Sequence, residues 1–258
     1  MYVVLSPAKK LNEGPCLDHL GHTQLDLSSE VQELMGVTKP LKPEQLRQLM
    51  GISESLAELN VKRFSSMKWP MNTDNARQAA LMFAGDTYTG LDASSLSAED
   101  LEWAQRHVGI ISGLYGLLRP LDLIQPYRLE MGTKLSNGRG KNLYAFWGDR
   151  LAALIDERLA GHDEPVVVNC ASNEYFKAAG TKALKAKVIT PVFLEQKGEV
   201  AKTISFLAKR ARGAMARYVI TNRITAPEQL RGFDLLDYRY DAERSTDNKP
   251  TFVAVRAA

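Results

Sequence analysis

Apolar residues recur in two rhythms along the 258-residue chain. Short, β-branched runs predict strands at Tyr2-Val3-Val4-Leu5, Val166-Val167-Val168-Asn169-Cys170 and Phe252-Val253-Ala254-Val255. Two further runs predict strands on the same ground, Val188-Ile189 through Val192-Phe193-Leu194 and Thr203-Ile204-Ser205-Phe206-Leu207. Elsewhere the rhythm is helical: Leu143, Trp147, Leu151 and Leu154 share one face, as do Ala211, Met215, Tyr218, Val219 and Asn222. Ser97, with Asp100 three residues on, predicts the capped start of a helix through Leu101 to His107. Pro43-Glu44-Gln45-Leu46-Arg47 and Pro227-Glu228-Gln229-Leu230-Arg231 each read as the proline-led first turn of a helix. Strands and helices interleave without a Ser/Gly linker. The expected architecture is therefore mixed α/β, a single domain over 1–258 with a curved mixed sheet flanked by helices.

Composition alters that picture little, since 45% hydrophobic and 24% charged residues are enough to build a core. No apolar run approaches the ~18 residues a membrane helix needs, and no basic segment followed by an apolar one marks a secretory signal. The expected location is the cytoplasm, where Cys16 and Cys170 would be reduced. Cys16, His19 and His22 stand close together, yet a tetrahedral site needs a fourth ligand and oriented imidazoles, so no metal is expected. His107 and His162 have no triad-like setting, and no Gly-rich phosphate loop follows a strand, so no cofactor is expected.

Charge changes the picture more. Net charge is only +3, but Tyr175 to Arg223 holds eleven basic residues against Glu195 and Glu199, an excess of +9 that leaves −6 elsewhere. Such a block projects a field at an anion, most commonly a polyanion. Within it, Lys202 to Arg223 contains six cations and no acid.

Leu46 to Leu59 reads as two short amphipathic helices joined through Gly51, with Ser53 placed to cap the second. A plain capped hairpin is one reading. The other is the helix-hairpin-helix motif of sequence-independent DNA-binding proteins, which Leu49, Gly51, Ile52 and Ala57 resemble; Ser53 stands at the motif's second glycine, Glu54 adds a negative charge, and Lys62 and Arg63 offset it. Between Ser112 and Gly132, Gly, Pro, Tyr and Arg cluster without periodicity, which suggests an ordered loop able to stack bases and clamp phosphates, or a buried connection. After Cys170, Ala171 to Lys177 places hydroxyl, amide and carboxylate groups at a strand's carboxyl end, where α/β sheets bind ligands.

Together with Leu5-Ser6-Pro7-Ala8-Lys9, Asn75 to Ala79, Gly85 to Leu91, Phe146-Trp147-Gly148-Asp149, Asn169 to Phe176 and Lys209 to Gly213, these segments resemble the YaaA family of bacterial peroxide-stress resistance proteins over nearly the whole chain. The resemblance implies a cytoplasmic, peroxide-induced protein that limits oxidative damage linked to free iron, with an unusual α/β fold that binds DNA through a positive cleft and a helix-hairpin-helix over 43–64. Carried over by position, the hairpin contributes Gly51, Ile52 and Ser53 with Lys62 and Arg63 beside them. The cleft cations would be Lys9, Arg119, Arg128, Lys209, Arg210, Arg212 and Arg217, with Lys177 added from the basic block. The expected partner is double-stranded DNA, held by a monomer through phosphates with weak sequence preference and no membrane contact. Catalysis is not required. The rival is a nucleic-acid-acting enzyme, a lysine-dependent base-excision lyase or a base-modifying enzyme, in which Lys9 or Lys209 is activated near other cations and Glu174 or Asp122 assists.

Overall fold

In the computed structural model, which describes residues 1–256, the strands form two principal sheets where one curved sheet was expected. The first contains β1 (Tyr2–Leu5), β2 (Val108–Ser112), β3 (Gly116–Leu118), β4 (Val166–Cys170) and β5 (Lys187–Ile189) in the order β3-β2-β1-β4-β5. β1 is parallel to both neighbours, with Val3 opposite Val108 on one side and Val168 on the other. Every residue of β1, β2 and β4 is buried, so their unbroken apolar runs suit central parallel strands covered on both faces. The second sheet contains β6 (Val192–Lys197), β7 (Val200–Lys202), β8 (Arg239–Thr246) and β9 (Lys249–Val255) in the order β7-β6-β9-β8. Pro191, which has no N–H to give a ladder, separates β5 from β6, and the Val188 to Leu194 run thus serves both sheets.

The helices that matter here are α1 (Ser28–Thr38), α2 (Pro43–Met50), α3 (Glu54–Ser66), α4 (Asp86–Leu91), α5 (Ala98–His107), α6 (Leu143–Trp147), α7 (Arg150–Leu159), α8 (Asn173–Ala179) and α9 (Ser205–Thr221). The expected capping box opens α5: the Asp100 N–H donates to Ser97 Oγ at 3.0 Å and the Ser97 N–H to Asp100 Oδ2 at 3.2 Å. Leu143, Trp147, Leu151 and Leu154 are buried as expected, but Gly148 (φ +51°) breaks the run into α6 and α7. Pro227–Gly232 is a 3₁₀ turn where an α-helix start was expected.

The strand expected at Thr203 to Leu207 is absent: Ser205 already belongs to α9, and Phe206 is 58% exposed. Ile204, Ala208, Ala211, Met215 and Val219 continue one helical spacing, and over seventeen residues that period outweighs a five-residue β-branched run. α9 packs tightly on α4. A Cβ on Gly213 would overlap the Thr87 carbonyl oxygen, and one on Gly90 the Arg210 carbonyl oxygen, so two glycines bring the helices together backbone to backbone. A continuous core runs beneath, from Met1 and Tyr2 through Trp147 to Phe252 and Ala254.

α2 and α3 form the expected capped hairpin. Gly51 sits in the left-handed region (φ 61°, ψ 40°) and its N–H donates to the Arg47 carbonyl at 2.9 Å. Ser53 Oγ accepts the Leu56 N–H at 3.3 Å, while Leu46, Ala57 and Phe64 are buried.

Candidate functional site

β1 and β4 are parallel neighbours whose next strands in this sheet, β2 and β5, lie on opposite sides of the pair, the strand-order reversal that opens a crevice at the strands' carboxyl ends. A cleft of about 450 Å³ lies there. Its floor is Ser6 to Lys10 after β1 and Cys170, Ser172, Glu174 and Tyr175 after β4; its walls are Ala84 to Thr87 leading into α4, Tyr127 to Glu130, and Lys209 and Arg212 of α9. The α4–α9 glycine contact sets that last wall, because it holds Lys209 and Arg212 beside Asp86 and Thr87.

Hydrogen bonds knit the floor. Ser6 Oγ accepts the Ser172 N–H at 2.8 Å, joining the two strand ends, and the Tyr88 hydroxyl donates to the Ser6 carbonyl at 3.0 Å, tying α4 to them. Glu174 accepts the Gly132 N–H on Oε1 at 2.8 Å, which anchors the 127–132 segment to α8. Burial raises the Tyr127 and Tyr175 phenols above their ordinary value, so both are neutral at physiological pH. Cys170 is 2% exposed and burial pushes its thiol up to about 12, a setting in which it is inert.

Five cations line the cleft, Lys9, Lys10, Arg128, Lys209 and Arg212, against three acids, Asp86, Glu130 and Glu174. Glu130 takes two of the cations: Lys9 Nζ lies 2.8 Å from one carboxylate oxygen and an Arg128 terminal nitrogen 3.0 Å from the other. Lys10, Lys209 and Arg212 have no ion-pair partner among the described residues.

Of the residues expected from sequence, Lys9, Arg128, Lys209, Arg212 and Glu174 meet in this cleft. Several others do not line it. Arg119 is turned inward, with Nε 2.9 Å from Asp122, a terminal nitrogen 3.0 Å from Asp26 and a bond to the Gln24 carbonyl at 2.6 Å. Asp122 is fully buried, accepting from the Thr23 hydroxyl and from Arg119, and so cannot assist Lys9 or Lys209. Arg217 donates to the carbonyls of Leu91 and Asp92 and closes the end of α4; Arg63 pairs with Glu13. Lys177 lies over the Tyr144 ring at 4.8 Å, and Arg210 is exposed on α9 outside the cleft lining. Gly51, Ile52, Ser53 and exposed Lys62 belong to the separate α2–α3 hairpin. Ser6, Lys10 and Asp86 also line the cleft; their signal in the sequence is membership of the segments Leu5 to Lys9 and Gly85 to Leu91, or adjacency to them. Among the described residues no group of three or more His, Cys, Asp or Glu is placed to hold a metal, and no helix is long and apolar enough to cross a membrane.

Four of the segments that carried the family resemblance, Leu5 to Lys9, Gly85 to Leu91, Asn169 to Phe176 and Lys209 to Gly213, thus converge on one cleft. A family model described as "Peroxide stress protein YaaA" matches residues 1–244. The chain belongs to the YaaA peroxide stress protein family. It is similar to UPF0246 proteins of Paracidovorax citrulli (52% identical over 253 residues, 98% of each chain) and Paraburkholderia phytofirmans (51% over 254 residues, 98% of each). A UPF0246 protein of Dinoroseobacter shibae is 49% identical over 253 residues, covering 98% of this chain and 94% of the relative. Membership of the YaaA family is consistent with a role in oxidative stress.

Proposed function

We propose that this YaaA-family protein serves the peroxide response by binding double-stranded DNA in the cytoplasm, as a monomer, through phosphates and with weak sequence preference, and so limits iron-linked oxidative damage. The observation that carries the DNA part is electrostatic. Lys209 and Arg212 stand three residues apart on α9 without ion-pair partners, facing a cleft that also holds Lys9, Lys10 and Arg128. Cations left unneutralised in a concave site concentrate field lines on an incoming anion. The α2–α3 hairpin supports the reading as a second contact, since Gly51 ends α2 in the left-handed region, Ser53 caps α3 and Lys62 is exposed further along α3.

Binding should weaken steeply with salt, because each neutralised phosphate releases about 0.9 of a counterion. With Lys10, Lys209 and Arg212 engaged, the logarithm of affinity should fall against the logarithm of salt with a slope near about −3, and more steeply if the hairpin adds contacts. Anisotropy titrations of two unrelated labelled duplexes at several salt concentrations measure this. A flat response, or strong preference for one duplex, refutes phosphate-led binding.

One observation favours a catalytic reading as well: Lys9, Lys209 and Glu174 share the cleft, although Asp122 does not. A base-excision lyase would attack the sugar C1′ through a neutral lysine amine, displace the base with its bonding electron pair, and open the C1′–O4′ bond to leave an imine, the amine protons passing to the base and to O4′. Borohydride treatment of the protein with damaged duplexes would then leave a covalent adduct, which a binding protein does not form.

A further inference from the structure

The size and mixed lining of the cleft narrow what can occupy it. A duplex can lie only across the mouth of the cleft, and the space within it, about 450 Å³, admits far less than a base pair with its backbones. That volume falls within the about 300–1,000 Å³ of small-ligand pockets and matches something of single-nucleotide size. Three kinds of surface meet inside. Lys209 and Arg212 of α9 have no ion-pair partner among the described residues, whereas Lys9 and Arg128 are tied to Glu130; of the unpaired cations, Lys10, Lys209 and Arg212, only the last two lie within one helical turn of each other, where they can share one phosphate. Pro7, Ala8 and the Tyr175 ring give an apolar surface that a bare phosphate would leave unused but a base would cover. Glu174 uses Oε1 on the Gly132 N–H, and Oε2 has no hydrogen-bond partner among the described residues. Such a carboxylate repels a polyphosphate but accepts from a sugar hydroxyl or an exocyclic amine.

We propose that the cleft binds one nucleotide, with its phosphate on Lys209 and Arg212, its base against Pro7, Ala8 and Tyr175, and a hydroxyl or amine on Glu174. The nucleotide is either free or swung out of a DNA strand, and the second source rests on the DNA-binding reading above. Extrusion costs least at a mismatch, so a mispaired duplex is the natural strand probe.

Calorimetry with the full chain tests the site using deoxyadenosine monophosphate, with deoxyadenosine and inorganic phosphate as reference probes. The nucleotide should bind at least about tenfold more tightly than either reference, since each supplies only part of the contacts. Lys209→Gln and Arg212→Gln should each weaken it roughly tenfold or more, the loss expected of a charge-assisted contact. Lys209 is exposed, so its variant separates lost binding from misfolding. Lys182→Gln, in the basic block but outside the cleft, should leave affinity unchanged. Glu174→Gln should weaken the nucleotide but not inorganic phosphate. A duplex with 2-aminopurine at a mismatch distinguishes the sources: fluorescence that rises on binding and is reversed by the mononucleotide makes the strand the source, while unchanged fluorescence beside tight mononucleotide binding makes the free nucleotide the ligand. Both outcomes support the site. Mononucleotide binding no tighter than that of phosphate, or insensitive to both α9 variants, overturns it. In that event persistent duplex binding leaves the DNA-binding reading intact; mononucleotide binding without duplex binding removes that reading and keeps the site.

Discussion

Replacing Gly213 by alanine is the sharpest test of how the cleft is built. In an open helix interior the change gains about 1 kcal/mol, because glycine loses the most backbone entropy on folding. Gly213 is not open. A Cβ there would overlap the Thr87 carbonyl oxygen and stand 2.7 Å from its carbonyl carbon and 2.8 Å from the Leu91 nitrogen, all of them backbone atoms that no rotamer change can move. The two helices would have to part by ~1 Å or more, and a gap of that size forfeits about a quarter to a half of the dispersion energy of each contact across the seam. Overpacking of this kind costs about 1–3 kcal/mol, and rigid obstacles place Gly213 at the upper end. After the propensity gain, a net loss of about 2 kcal/mol corresponds to a melting temperature lower by roughly 4–8 °C in a chain of this size. Gly36→Ala is the matched control. That residue is exposed in α1 with nothing within 4 Å of an added Cβ, so its variant should melt at or above the parent. Parallel thermal and urea melts of the parent and both variants read the effect. Equal or higher stability for Gly213→Ala would show that the helices do not touch backbone to backbone, and the placement of Lys209 and Arg212 would lose its basis.

Arg119→Ala should cost about 3–5 kcal/mol in denaturant melts, because it strands the buried Asp122 carboxylate, yet leave duplex affinity of the folded protein unchanged; a selective loss of binding would return Arg119 to the cleft. The Cys170 thiol should resist a thiol reagent in the native state and react only on unfolding, and since its folded value is raised from 9.0 to about 12, stability should fall as pH climbs from 9 toward 12; a slope unchanged in Cys170→Ala would contradict this. His107 is held down to about 4 by burial, stacked on Trp103 at 3.7 Å beside His162. The unfolded chain therefore binds more protons below pH 6.5, stability should drop as pH falls from 6.5 toward 4, and melts of His107→Gln should show a shallower acid slope than the parent.

What could be read beforehand was whatever local sequence determines by itself. The Ser97–Asp100 box, the left-handed Gly51 and the Ser53 cap each depend on residues within four positions of one another, and each is present. The runs at Tyr2 to Leu5 and Val166 to Cys170 became central strands because continuous apolar, β-branched segments have few other ways to be buried on both faces. Thr203 to Leu207 shows the limit of that rule, since five residues carry both periods and only the length of α9 decides between them.

Charge was harder, because a count along the chain measures field and says nothing of pairing. Arg63, Arg119 and Arg217 find Glu13, Asp26 with Asp122, and Asp92, partners distant in sequence for all but Asp122, and each becomes part of the scaffold. Lys209 and Arg212, by contrast, have no ion-pair partner among the described residues, and the close contact of α4 and α9 at Gly90 and Gly213 fixes the wall they stand on. Gly90 and Gly213 were visible within the segments Gly85 to Leu91 and Lys209 to Gly213 as family marks without a stated physical task. Their task is to let two helices touch across more than a hundred residues of chain, and that contact turns a basic stretch of sequence into one wall of a cleft.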